Sequence, residues 1–327
     1  MTAPMQAAAL AHPNIALIKY WGKREPTLNL PAVGSISVTL NDLYTDTRVT
    51  FAPALTADRL LLDDHPADTR RLSHVLDLIR TRAGCDYRAA VESHNNFPTG
   101  AGLASSASGF AALVVAACAA FDLQLDNREL STLARQGSGS AARSVFGGYA
   151  EMQRGTADDG HDAYAGSLLN ANDWPLAVVV AVTHDKAKTV DSRAGMGATA
   201  ASSPFYPLWV EQAETDLQAM REAIAARDFH ALGNLAEHNC LKMHALMLSN
   251  RPALVYWNPA TVAAMQAIRA LRSQGIAVYF TIDAGPQVKA LCPPEASATV
   301  ARTLANVPGV ERVIPTRLGP GAHVIDA

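Results

Sequence analysis

Apolar and polar positions alternate, or β-branched residues cluster, at residues 47–51, 87–92 and 174–183, and each run predicts a strand. Residues 68–83 carry Leu72, Val75, Leu76 and Ile79 at helical spacing, which predicts an amphipathic helix with one buried face. Residues 105–121 are too apolar for a surface helix and predict one packed beneath a sheet. From about residue 185 the character of the chain changes. Residues 205–227, 229–248 and 259–274 predict three helices, and residues 276–282 a strand. Pro286 suits the first turn of a further helix. Residues 295–305 predict a helix, 309–315 a closing strand, and the acidic, glycine-bearing stretch 158–162 an exposed loop. Strands and helices mix without strict βαβ alternation, so the pattern predicts an α+β fold rather than a doubly wound sheet. The length allows two packed lobes or one large one, and a break near 185 would set the lobes at 1–184 and 185–327.

Composition narrows the partners. The 327 residues are 49% hydrophobic and 17% charged, with a net charge of −3 and no basic stripe. Nucleic acid is therefore not an expected partner, and any anion site must be local. Cys85, Cys118, Cys240 and Cys292 are scattered without a C-x-x-C pair, which suggests neither a zinc site nor a disulfide framework and fits a reducing cytoplasm. The first ten residues lack the basic start and apolar core of a secretory signal. The most apolar run, 110–121, is shorter than the roughly 20 residues that span a bilayer, so no membrane is expected.

The richest chemistry lies between Asn95 and Gly109. A Pro98-Thr99-Gly100-Ala101-Gly102 turn runs into Ser105 and Ser106 at the start of the apolar helix. Glycines let the backbone approach an anion, and the first N–H groups of a helix have no partners of their own. No lysine stands where a Walker A loop needs one, and Gly100 and Gly102 are followed by Ser105 rather than the third glycine of a dinucleotide fingerprint. The segment is thus a different phosphate loop, or a glycine–serine turn that only caps a buried helix.

Four further segments carry candidate chemistry. Lys19, Tyr20, Trp21, Lys23 and Arg24 put three cations and two aromatics within six residues, able to grip an anion or to solvate the end of a strand. Gly137 to Ser144 is a second small-residue loop in which Arg143 offers a planar fork to a carboxylate or phosphate; a tight turn with a surface arginine is the plain alternative. Residues 185–196 are dense in cations and hydroxyls, as a cleft-lining segment or an exposed linker. Asp283 sits where a strand ends and a turn begins, placed to act on a hydroxyl or to cap that turn. His238 and His244, six apart on a helix, lack ligand spacing and read as packing or polar-face residues. Trp209, Trp257 and the methionines read as core.

Together these segments, in this order along nearly the whole chain, resemble the GHMP kinase superfamily and within it the diphosphomevalonate decarboxylase family. The serine-rich loop supports the superfamily. The Lys19-Tyr20-Trp21-Gly22-Lys23 string and the Asp283-Ala284-Gly285-Pro286 turn are specific to the decarboxylase branch. The resemblance implies the two-lobed GHMP kinase fold with the site in the cleft. It implies ATP as co-substrate with Mg²⁺, phosphorylation of the 3-hydroxyl of mevalonate 5-diphosphate, and loss of phosphate and carbon dioxide to give isopentenyl diphosphate.

Residue roles follow from the same resemblance. Asp283 matches the catalytic aspartate near the hydroxyl, as base or orienting group, and Arg143 the holder of the substrate carboxylate. Tyr20, Lys23 and Arg193 match diphosphate contacts, with Ser138 and Ser140 beside them. Ser192 matches a serine near the reacting groups, and Asn14 an asparagine that supports the site. Ser93, Pro98, Gly100, Gly102, Leu103, Ala104, Ser105 and Ser106 match the ATP side, with Ser106 nearest the transferred phosphoryl group and the candidate magnesium ligand. The family also implies a homodimer. Gly100 departs from the usual alanine, and Ala163 follows Asp162 where many members have serine, so no role is carried to that position. A sister kinase that stops after phosphorylation, and a non-catalytic metabolite sensor, are the rival readings.

Overall fold

The computed structural model describes residues 5–97, 103–184 and 189–326. The chain opens with β1 (Met5–Ala11), β2 (Asn14–Ile18), β3 (Lys23–Glu25), β4 (Leu30–Pro31), β5 (Ser35–Thr39), β6 (Thr45–Ala52), β7 (Arg59–Leu62) and β8 (His65–Pro66). Then come α1 (Arg70–Ala83), β9 (Arg88–Asn95), α2 (Ser105–Ala120), α3 (Asn127–Gly137), α4 (Ala141–Ser144), β10 (Tyr149–Met152), β11 (Ala165–Leu169) and β12 (Ala177–Val182). The remainder holds α5 (Ser192–Ser202), α6 (Tyr206–Ala226), α7 (Phe229–Leu248), α8 (Pro259–Ser273), β13 (Tyr279–Ile282), β14 (Val288–Cys292), α9 (Ser297–Ala305), β15 (Arg312–Arg317) and β16 (His323–Ile325).

Three sheets carry the fold, in the orders β16-β1-β6-β9-β7-β8, β11-β10-β5-β2 and β13-β14-β12-β15. Helix α2 lies on β1 and β6. It can lie flush because the contact is built from small side chains: Ala111, Ala112 and Ala116 are fully buried beside Ala9, Val49 and Phe51. This is the buried helix that its unbroken apolar run predicts. Strand β12 is buried along its whole length. Val178 and Val180 face a core shared with β2, β5, α6 and α7, while Val179 and Ala181 face another shared with α8 and α9. A strand covered on both faces reads as a continuous apolar run rather than an alternating one.

One expectation is overturned. Pro286 does not open a helix; it ends a turn that returns the chain from β13 into β14. Val288 to Cys292 is entirely buried and pairs with both β13 and β12, so tertiary pairing overrides the local helical signal of the proline. The closing segment also differs. Its strand starts at Arg312, and the last strand, β16, pairs with β1 at the other end of the chain. Helix α3 was not anticipated, although Asp126 and Glu129 form a reciprocal capping box at its start. Among the described residues no helix is long and apolar enough to cross a membrane, and all four cysteines are free.

Candidate active site

A cavity of about 450 Å³ opens where β2, the start of α2, the α3–α4 connection, the start of α5 and the β13–β14 turn converge. Each brings a different chemistry. At the start of α2, Ala104 takes a left-handed conformation (φ 61°) that turns the chain into the helix and presents Ser105 and Ser106 to the cavity. The first N–H groups of the helix share that end, as anion binding needs. Ser138 links this loop to the next one, with hydroxyl contacts of 3.4 Å to both Ser106 and Ser140. Gly139 lets Tyr20 come close: a Cβ there would meet Tyr20 Oη at 2.4 Å and force the ring to shift.

Arg143, 2% exposed, is held by a ring of neutral acceptors. Its Nε donates to Asn14 Oδ1 (3.2 Å) and Ser37 Oγ (2.9 Å), Nη2 donates to Asn14 Oδ1 (3.0 Å), and Nη1 donates to Ser35 Oγ. Asn14 is anchored in turn, donating to Ser140 O (2.9 Å) and Ser144 Oγ (2.8 Å). A guanidinium has five N–H donors. These bonds occupy the Nε–H and one N–H on each terminal nitrogen, and among the described residues no carboxylate pairs with it. The remaining pair of donors suits a carboxylate fork. Burial pushes Arg143 down to about 10, against the pull of Asp283 and Tyr20, so it stays charged at neutral pH.

Asp283 lines the same cavity, between two buried lysines. Lys19 Nζ donates to its Oδ1 at 2.6 Å, and Lys289 Nζ lies 3.2 Å from Oδ2 as an ion pair. Burial alone would raise the Asp283 pKa; the charges of Lys19 and Lys289 outweigh it and hold the carboxyl below its usual range. Its Oδ2 accepts no hydrogen bond among the described residues, and neither does Tyr20 Oη make one. Asp283 Oδ2, engaged by the Lys289 ion pair, and Tyr20 Oη, with no hydrogen bond among the described residues, both belong to cavity residues, and a ligand's polar groups would satisfy them. Tyr20 stays a phenol, pushed up to about 12 by burial.

A third wall is cationic. Asp191 caps α5 by accepting from the Arg193 and Ala194 N–H groups, which sets Ser192 and Arg193 at the rim. Lys23 and Arg71 line the same cavity. Burial, then repulsion from Arg193 and Arg71, pulls Lys23 down to about 8. Arg71, stacked 4.7 Å over Phe110, is also lowered by burial and by Arg193. Such mutual repulsion would be relieved by a bound polyanion. Among the described residues no group of three or more His, Cys, Asp or Glu could hold a metal ion.

Residues 11–165 match the family described as the diphosphomevalonate decarboxylase-like N-terminal domain, and residues 178–324 the mevalonate 5-diphosphate decarboxylase C-terminal domain. The chain belongs to the diphosphomevalonate decarboxylase family. Its architecture is the GHMP kinase fold. Diphosphomevalonate decarboxylase of Candida albicans is 36% identical over 97% of this chain and 97% of its own. Phosphomevalonate decarboxylase of Haloferax volcanii is 34% identical over 98% of each. A solved structure, MDDEF in complex with MVAPP, AMPPCP and magnesium, superposes with a TM-score of 0.92 at 41% identity, covering 99% of this chain and 100% of that one.

For this family member, the cavity gathers Asn14, Tyr20, Lys23, Ala104, Ser105, Ser106, Ser138, Ser140, Arg143, Ser192, Arg193 and Asp283 from the residues singled out in the sequence. Leu103 is buried in the neighbouring core, and Ser93 lies on β9, hydrogen-bonded to Thr47 Oγ1 at 2.8 Å; neither lines the cavity. Pro98, Gly100 and Gly102 lie outside the described residues. Sequence reasoning gave Lys19 no role of its own and passed over Lys289, Arg71, Ser35 and Ser37. A lysine inside the fully buried run of β14 was the one local signal among these. Arg24, grouped with the cations, turns away and donates to Ala157 O at 2.7 Å.

Proposed function

We propose that the protein transfers the γ-phosphoryl group of ATP to the 3-hydroxyl of mevalonate 5-diphosphate and then eliminates phosphate and carbon dioxide, releasing isopentenyl diphosphate and ADP. The observation that carries this reading is that Arg143 and Asp283 share one cavity with the start of α2. A carboxylate fork, a hydroxyl acceptor and a phosphate cradle face a single space, as a substrate that is both phosphorylated and decarboxylated requires.

The chemistry follows from the placement. The start of α2, with Ser105 and Ser106, receives the ATP phosphates. Hydroxyls such as that of Ser106, together with the ATP phosphates, would hold magnesium, since no carboxylate cluster occurs among the described residues; the ion would supply charge neutralisation at the phosphates. Asp283 accepts the 3-hydroxyl hydrogen bond through Oδ2. With a pKa held low it is a weak base, so its main work is to aim the oxygen at phosphorus, which suffices for a loose phosphoryl-transfer transition state. Arg143 holds the C1 carboxylate. When the C3–O bond breaks, phosphate leaves with that electron pair, and the C1–C2 pair becomes the C2–C3 double bond as carbon dioxide departs. Asp283 and the substrate's own phosphates stabilise positive charge developing at C3. Asn14 and Ser192 support this centre, while Met196 and Met243 form apolar wall beside it.

Lys23, Arg193 and Arg71, with Tyr20, Ser138 and Ser140, bind the 5-diphosphate. Three cations that repel one another favour a diphosphate over the phosphomevalonate in the name of the Haloferax relative. Measured side by side, kcat/KM is expected to be at least about tenfold higher for mevalonate 5-diphosphate, one 1.4 kcal/mol step; equal or reversed values would overturn this substrate assignment. In this division the segment 1–184 supplies the nucleotide loop and Arg143, and 185–327 supplies Asp283, Ser192 and Arg193. The reading extends to a homodimer in the cytoplasm: free, scattered cysteines fit a reducing compartment, and light scattering reads the assembly.

A further inference from the structure

The Lys19–Asp283 pair is assembled across a seam between two sheets. Lys19 follows β2, the edge of the β11-β10-β5-β2 sheet, and Asp283 follows β13, the edge of the β13-β14-β12-β15 sheet. Helix α7 packs against both edges. Three of its side chains reach the main chain beside the pair. Asn239 Oδ1 accepts from the Lys19 N–H at 2.8 Å. Cys240 Sγ accepts from the Ile282 N–H at 3.1 Å and lies 3.4 Å from Ile282 O, which His244 Nε2 also reaches at 3.4 Å. The seam is completed by Ala16 O, which accepts from Lys19 Nζ (2.9 Å) and Thr281 Oγ1 (3.3 Å).

Cys240 and His244 are four apart and so share one helix face. Burial keeps both neutral: the thiol is pushed up to about 11 and the imidazole down to about 3. Neutral groups can satisfy the edge of β13 that no strand pairs, without adding charge beside Asp283. Asn239 is itself fixed, donating to Asp216 at 2.7 Å, and Asp216 pairs with Lys242 at 2.6 Å. One rigid helix thus contacts the residue that supplies the ammonium and the residue preceding the carboxylate.

We propose that Asn239, Cys240 and His244 are positioning residues for the reaction, setting the register of Lys19 against Asp283 from a single helix. The inference rests on the reading that Asp283 orients the substrate hydroxyl. Since a misplacement near 1 Å lowers a rate by as much as a hundredfold, Asn239→Ala and Cys240→Ala are each expected to lower kcat about 10- to 100-fold, with the KM for ATP within about twofold of the parent. Cys240→Ser, which keeps a donor and an acceptor, recovers most of the loss of Cys240→Ala. Asn239→Ala added to Lys19→Ala lowers kcat no further, because its effect runs through Lys19. Folded variants with parent kcat, or independent multiplication of the two losses, would overturn the proposal. If Asn239→Ala does not fold, the Cys240 pair decides alone: equal kcat for the alanine and serine variants contradicts positioning. Asp283→Ala run in parallel separates the failures. Activity in that variant would sink the functional reading, whereas an inactive Asp283→Ala beside fully active α7 variants would remove only the role of α7.

Discussion

Asp283→Asn is expected to lower kcat by about 10³-fold or more, roughly 4 kcal/mol of transition-state stabilisation, while ATP still binds. The substitution keeps the shape of the side chain and removes the charge. Two consequences follow from the surroundings. The amide no longer offers an anionic acceptor to the hydroxyl, and it leaves Lys19 and Lys289, 1% and 0% exposed, without their shared counter-charge. Breaking a buried ion pair on one side typically destabilises by about 3–5 kcal/mol, so the thermal midpoint should fall as well. The pH dependence has a definite sign. In the parent the Asp283 pKa is depressed, so its contribution to stability is present above the ordinary carboxylate range and is lost as pH falls through the folded value. In the variant the stability deficit narrows as pH rises, because Lys289, already lowered by burial, then sheds its charge more readily. Thermal melts across pH 5 to 10, beside steady-state rates and nucleotide titration, check all three outcomes. Near-normal kcat in Asp283→Asn would rule out the assigned role.

Arg143→Ala is expected to lower kcat/KM for the carboxylate-bearing substrate by about 10²- to 10³-fold, with ATP affinity nearly unchanged. In the proposed reading the arginine binds the substrate carboxylate rather than the ATP phosphates. Its removal also strips the donor from Asn14 Oδ1, Ser35 Oγ and Ser37 Oγ, and each buried group left unsatisfied costs about 1–3 kcal/mol. Arg143→Lys separates the two effects. It keeps a cation but cannot form the planar fork, so it should retain more stability than Arg143→Ala while still losing most of the activity. Nucleotide titration beside kinetics of both variants is the check. A loss of ATP affinity as large as the loss in kcat/KM would move Arg143 to the nucleotide side.

Much of this site was legible because its chemistry is local in sequence. Ser105 and Ser106 follow a glycine turn, Arg143 ends a small-residue loop, and Asp283 stands at a strand end. Lys289 was legible only as an oddity, a lone charge in an apolar run; its meaning lies in a carboxylate across a hairpin turn. Ser35 and Ser37 look like ordinary strand residues until Arg143 packs onto them. The fold divides in the same way. Helices α2, α6, α7 and α8 follow from periodicity and apolar content. The three-residue β16 exists because β1 lies beside it, a pairing between opposite ends of the chain that no local window contains. Pro286 misled for a related reason. A proline suits both a helix start and a hairpin turn, and only the partners β12 and β13 decide between them.

The central claim is that phosphoryl transfer and decarboxylation are coupled in one cavity. The direct measurement uses mevalonate 5-diphosphate labelled at its carboxyl carbon, with ATP and magnesium, and follows ADP and labelled carbon dioxide in the same quenched samples. The account predicts that the two rise together in equal amounts and that isopentenyl diphosphate accumulates with them. Steady formation of ADP without carbon dioxide would contradict it and leave the protein a kinase.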